Sequence, residues 1–134
     1  MAPETHTSPP ARQDPHEFGR AAEQLASAFL QAKGYRILAA NQRIGRGEID
    51  LIVQRLGVLA FVEVKGRRTV TCGAPEEAVT PRKRRQIARL AELWLACRPQ
   101  ALCGVTEVRF DIVAVDATRR PPQVRHIPAA FEAC

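Results

Sequence analysis

Asp50, Glu63 and Lys65 are charged side chains set inside two short segments that are otherwise rich in Ile, Val, Leu and Phe, residues 48–54 and 58–65. Both segments read as strands apolar on both faces, and leaving carboxylates unpaired there costs several kcal/mol. Side chains alternate along a strand, so Glu63 and Lys65, two apart, project from one side. The intervening Arg55-Leu56-Gly57 marks a tight turn and an antiparallel hairpin. With a two- or four-residue turn, Asp50 falls directly opposite Glu63, Cβ atoms about 4.5–5.5 Å apart. A three-residue loop moves Asp50 to the other face unless a bulge restores the register.

Two carboxylates that close repel, so the pattern calls for a cation between them. Lys65 alone would make a charged cluster on a solvated strand face, but the apolar neighbours of Asp50 and Glu63 argue against it. The hard oxygens of Asp50 and Glu63, with the backbone carbonyl of Val64, suit Mg²⁺ or Mn²⁺; zinc, which prefers His or Cys, fits poorly. Beside such an ion Lys65 can orient or help deprotonate a water for attack on phosphorus, and the natural reaction is phosphodiester hydrolysis. Glu48 is assigned to the opposite side of its strand from Asp50, as a surface or hydrogen-bonding residue outside the site.

The elements that must position these groups are legible in outline. Residues 1–13 hold three prolines and almost no bulky apolar side chains, so they are expected to be a disordered tail ahead of one domain, residues 14–134. Asp14-Pro15-His16-Glu17 supplies an N-cap, a first-turn proline and an acid at N3. The helix that follows carries Phe18, Ala22, Leu25, Ala26 and Phe29 as its buried stripe and stops at Gly34. Residues 35–42 form a first strand, and a helical turn falls near Glu76-Glu77. Thr80-Pro81 starts a second helix, with Ile87, Leu90, Ala91, Trp94 and Leu95 inward, ending before Pro99. Residues 105–115 and 123–127 complete the strands. The order is an α/β domain with a mixed sheet covered by helices.

The chain has 134 residues and a formal charge of +6, from 20 Lys and Arg against 14 acids, which favours a polyanionic partner. No apolar run is long enough to span a membrane and the N-terminus lacks a secretory core, so a soluble, cytoplasmic protein without a membrane partner is expected. Cys72, Cys97, Cys103 and Cys134 form no CxxC pair and read as reduced thiols. Arg67, Arg68, Arg82, Lys83, Arg84 and Arg85 form two basic clusters suited to phosphates. Lys83, at the edge of the second helix's buried stripe, is the one placed to approach the acids. Trp94 and Tyr35 sit at core-like positions and give no stacking platform, so duplex or branched DNA gripped through its phosphates is the better expectation. Asp111, inside the fourth strand, reads either as catalytic or as structural, hydrogen-bonding or supporting the site from a neighbouring strand, with the balance toward structure.

Taken in order, "GRAAEQLASAFLQAKGYRILAANQRIGRGEIDLI", "FVEVKGRR", "AVTPRKRRQIARLAELWL" and "VRFDIVAV" resemble the YraN-like family of predicted nucleases, over residues 19–115. Asp50 followed by Glu63-Val64-Lys65 is similar to the core of the PD-(D/E)xK superfamily, although Ile49 stands where that name has proline. The resemblance implies a restriction-endonuclease-like αβββαβ core, a central mixed sheet flanked by helices, related to Holliday-junction resolvases. It implies catalytic roles for Asp50, Glu63 and Lys65, and brings Glu23 from the first helix as a further metal-coordinating or water-positioning carboxylate. Resolvase-like cutting of two strands calls for a homodimer. The rival from another class is a catalytically silent module that binds nucleic acid or a partner on the same fold. A basic ribosome- or membrane-associated factor ranks last, because it leaves the interior acids unexplained.

Overall fold

In the computed structural model of the chain, residues 14–69 and 74–132 are described. The expected tail, together with Cys72 and Cys134, lies outside them. Helix α1 (Pro15–Ala32) starts at Asp14, whose carboxylate accepts the His16 N–H at 3.1 Å. Strands β1 (Arg36–Ile44), β2 (Gly47–Arg55) and β3 (Val58–Arg67) follow. After a 3-10 turn at Pro75–Ala78 comes α2 (Pro81–Cys97), whose N-cap Thr80 accepts the Lys83 N–H. A second 3-10 turn at Pro99–Leu102 leads to β4 (Glu107–Asp116) and β5 (Gln123–Phe131). The five strands form one sheet in chain order, with β3 and β4 parallel and all other neighbours antiparallel. This is the mixed α/β core expected from the sequence.

Each helix covers one face. On the α1 side Ala26, Leu30 and Tyr35 pack with Leu51, Val53, Ala60, Val62 and Val113. On the α2 side Ile87, Leu90, Ala91 and Trp94 pack with Ile49, Ile52, Leu59, Phe61, Phe110 and Ile112. The buried stripe of α1 is Ala22, Ala26 and Leu30, with Leu25 exposed and Phe18 and Phe29 only partly covered. That corrects the expected stripe. Small residues let the helix lie close to the sheet: a Cβ added at Gly66 of β3 would come within 2.6 Å of the Phe18 ring and 3.4 Å of Ala22.

Both outer strands are irregular. β1 shifts register between Ile37 and Ala39, and Asn41 takes φ 50°. β5 contains Pro128 and has Ala129 at φ 50°, where its pairing with β4 shifts.

The hairpin turn is two residues, Leu56 and Gly57, since Arg55 pairs with Val58. Both central residues have positive φ, 46° and 79°, the pairing that favours Asn-Gly. Leu56 is 85% exposed and gains nothing from packing. Leu56→Asn is therefore expected to stabilise the fold by about 0.5–1 kcal/mol, read as a higher urea midpoint; an unchanged or lower midpoint would reject the turn's strain.

Candidate active site

The even turn sets the register that places Asp50 opposite Glu63, yet the β2–β3 ladder ends one step short, at Leu51 and Val62. The reason lies in β2 itself. Ile49 and Ile52 both face α2 whereas Leu51 and Val53 face α1, so regular alternation slips at Asp50. In β1, Asn41 lies between the pairs Ala40–Leu51 and Gln42–Ile49, at the same break, and its positive φ is one that asparagine tolerates better than most residues. Freed from the ladder, the Asp50 carboxylate turns toward β3 and accepts the Val64 N–H at 2.8 Å. A strand residue directs its N–H and C=O to the same side, so the Val64 carbonyl also faces this gap.

Acids converge on Asp50 from both faces. On the α2 side Glu63, 7% exposed, shares a side-chain hydrogen bond with Asp50. Lys65 Nζ lies 3.9 Å from Glu63 Oε1, and Lys83 is near enough to favour the charged forms of both acids. On the α1 side, carboxylate oxygens of Glu23, Glu48 and Asp50 all lie within 4.8 Å of one another. Asn41 donates a side-chain hydrogen bond to Glu23.

The expectation that Glu48 points away is therefore corrected. Glu48, next to the α2-facing Ile49, projects to the α1 side and joins Asp50 and Glu23. Asn41 also escaped the sequence reading; the one cue was an asparagine, a residue that accepts left-handed backbone, within a predicted strand. Arg84 is corrected in the other direction. Its guanidinium donates to the carbonyls of Val79 and Glu76, both at 2.8 Å, and lies over the Phe131 ring, so it fastens the 3-10 turn to α2. Arg68 lies over the Phe18 ring at 4.7 Å, and the Arg67 carbonyl accepts the Ala117 N–H.

The electrostatics follow from crowding in a half-dry site. Burial, then the Asp50 charge, push Glu63 up to about 7 against the pull of Lys83 and Lys65. Burial also raises Asp50, against the Val64 N–H and Lys83. Glu23 is raised by burial and next by Asp50, with the Asn41 hydrogen bond opposing. One proton shared between Glu63 and Asp50 relieves the repulsion, and a divalent cation would relieve it further. The donor set is all oxygen and could hold a hard divalent cation, with the Glu23, Glu48 and Asp50 oxygens close enough together to share one ion.

Asp111 belongs to a separate polar centre. Fully buried, it accepts from Arg109 Nη2 at 2.9 Å, Arg109 Nε at 3.2 Å, the Ala129 N–H at 2.9 Å and His126 Nε2 at 2.8 Å. Arg109 also donates to the Tyr35 hydroxyl at 2.8 Å, and His126 Nδ1 lies 3.4 Å from Lys33 Nζ. The centre ties the end of α1 to β4 and β5.

The family described as "Uncharacterised protein family UPF0102" matches residues 22–115, which includes every acid of the site. The chain belongs to that family. UPF0102 is the YraN-like family of the sequence resemblance. A UPF0102 protein of Rhodopseudomonas palustris (strain HaA2) is 45% identical over 133 residues, covering 99% of this chain and 98% of its own. A UPF0102 protein of Symbiobacterium thermophilum is 53% identical over 98 residues, 73% of this chain and 80% of that one. Among solved structures, SfsA of Pyrococcus furiosus in complex with Ca²⁺ overlaps 89% of this chain and 65% of that one, at 12% identity and a TM-score of 0.33, too loose a likeness to carry over to this site. Among the described residues of this UPF0102 chain no helix is long and apolar enough to cross a membrane.

Proposed function

We propose that the chain is a metal-dependent nuclease that hydrolyses DNA phosphodiester bonds, with duplex or branched DNA as substrate. The observation that carries this reading is the position of Asp50: a half-buried carboxylate released from the sheet ladder, shared between Glu63 on one face and Glu23 with Glu48 on the other, with two lysines on the Glu63 flank.

Mg²⁺ or Mn²⁺, held by Asp50 with Glu63 or with Glu23 and Glu48, would supply Lewis-acid stabilisation of charge on the phosphoryl oxygens. The protein's own groups do the remainder. Lys65, half-buried beside Glu63, orients a water and assists removal of its proton. Lys83 brings a second positive charge from the first turn of α2 toward the scissile phosphate. Asn41 and the Val64 N–H hold Glu23 and Asp50 in place. Arg67 and Arg68, just beyond Lys65 in the chain, extend the basic surface along the backbone of the substrate. Arg84, bound internally, has no part in this. Cutting both strands of a junction requires two copies of the chain, one for each strand.

The test is incubation of the purified protein with linear duplex, single-stranded and four-way-junction DNA in Mg²⁺ or Mn²⁺, beside Asp50→Ala and Lys65→Ala. Cleavage of duplex or junction DNA should require the metal and fall by about 10²–10³-fold or more in each variant. If no substrate is cut, or the variants cut equally well, the assignment is lost. Binding without cutting would favour a silent DNA-binding module.

A further inference from the structure

At the opposite end of α2 from Lys83, the start of β1, the end of β2 and the second 3-10 turn border an open pocket of about 460 Å³. Fifteen residues of helix separate Lys83 from Arg98, about 22 Å along the axis, so this pocket is not part of the carboxylate site. Its lining combines Arg36, Gln54, Trp94, Arg98, Gln100 and Cys103 with the apolar Leu38 and Ala101, and includes no acid.

The donors outnumber the acceptors. Arg36 Nη2 donates to Gln54 Oε1 at 3.0 Å, which occupies the amide oxygen and leaves the Gln54 NH₂ as a donor. Arg98 lies over the Trp94 ring, its centre 5.1 Å from the ring centroid, an arrangement that keeps the guanidinium edges open to hydrogen bonding. Trp94 is 4% exposed, yet its indole N–H has no hydrogen-bond partner among the described residues. A buried donor left unpaired costs free energy, and the indole nitrogen can only donate. Two guanidinium groups and an amide lining a cavity of ligand size, beside the indole, make a site for an oxyanion with several acceptor oxygens.

We propose that this pocket binds a phosphate group. A phosphate presents more acceptor oxygens than a carboxylate and matches the excess of donors. Leu38 and Ala101 in the lining give the body attached to that phosphate an apolar surface to rest on. The phosphate comes either from a free nucleotide or from a nucleic-acid backbone, and both present the same chemistry to the two arginines.

Trp94 is the single tryptophan of the chain, so its fluorescence and its one indole N–H resonance report on the pocket directly. The full chain would be titrated with inorganic phosphate, AMP, succinate and a short single-stranded oligonucleotide, to about 10 mM for the small anions. Saturable movement of the indole signal with phosphate or AMP and not with succinate is expected, weakened about tenfold or more by Arg36→Gln or Arg98→Gln and unaffected by Lys83→Ala. Response to the oligonucleotide alone would identify the backbone as the source, while response to AMP or phosphate would identify the free anion. No saturable shift with any phosphate, equal response to succinate, or unchanged affinity in a folded Arg36→Gln/Arg98→Gln double variant would overturn the proposal.

Discussion

Asp111→Ala is expected to cost about 3–5 kcal/mol of folding stability, the largest single loss among the variants considered. The carboxylate is fully buried and accepts from Arg109, His126 and the Ala129 N–H. Its removal leaves those donors facing a dry cavity and strips the Arg109 charge of its partner, leaving Arg109 only the Tyr35 hydroxyl. Burial on its own would raise the pKa of Asp111, but the hydrogen bonds from His126, Arg109 and Ala129 together hold it below the ordinary value of 3.8. An acid with a depressed folded pKa contributes stability that is present above its unfolded pKa and lost as pH falls through the folded one. Wild-type stability should therefore fall below about pH 4, and the alanine variant should lack that part of the acid limb. Urea denaturation from pH 7 to pH 3 measures both; a variant within about 1 kcal/mol of wild type at pH 7 would show that the centre does not hold the fold together.

Glu63→Gln should act with opposite signs on activity and on stability. Under the proposed chemistry, loss of a carboxylate beside Asp50 and Lys65 lowers cleavage by about 10²–10³-fold. The same change should stabilise the metal-free fold at pH 8 by roughly 1–3 kcal/mol, because it removes the more buried of two adjacent negative charges. The pH window follows from the pKa of about 7, raised chiefly by burial. An acid whose folded pKa is raised contributes stability that is fully present below its unfolded pKa and lost as pH rises through the folded one. Wild type in EDTA should thus weaken between about pH 5 and pH 8, and Glu63→Gln should lack this component. Since Glu63 must release its proton to bind a cation, Mg²⁺ or Mn²⁺ should bind more tightly as pH approaches 7 and offset the weakening. Denaturation curves of both proteins at pH 5 and pH 8, with and without metal, carry the comparison; equal losses of stability with pH in the two would remove Glu63 as the cause.

The framework was legible where one local signal decides. Asp14 and Thr80 cap the two helices, the apolar stripe of α2 is the expected one, and the hairpin register follows from its even turn. Asp50 and Glu63 could be read as neighbours for the same reason. What escaped depends on distant contacts or on departures from regularity. The slip at Asn41 and Asp50 draws the acids of two faces to one point, which a strict two-residue period does not foresee. Arg84 looks like any other member of a basic run until the Pro75–Ala78 turn offers it two carbonyls. The centre around Asp111 joins Tyr35 beyond α1 to β4 and β5, with 76 positions between Tyr35 and Asp111, and no spacing rule connects those three elements.

A sheet with two open sides is normally vulnerable to growth, because each outer strand displays a row of unsatisfied amides and carbonyls. Here neither row is continuous: the register shift near Leu38 and the left-handed Asn41 interrupt β1, and Pro128 with left-handed Ala129 interrupts β5. Two copies placed edge to edge would lose step within a few residues. A junction-cutting pair would therefore have to meet through helices or side-chain surfaces, and the same irregularities protect the chain at high concentration from zipping into extended aggregates.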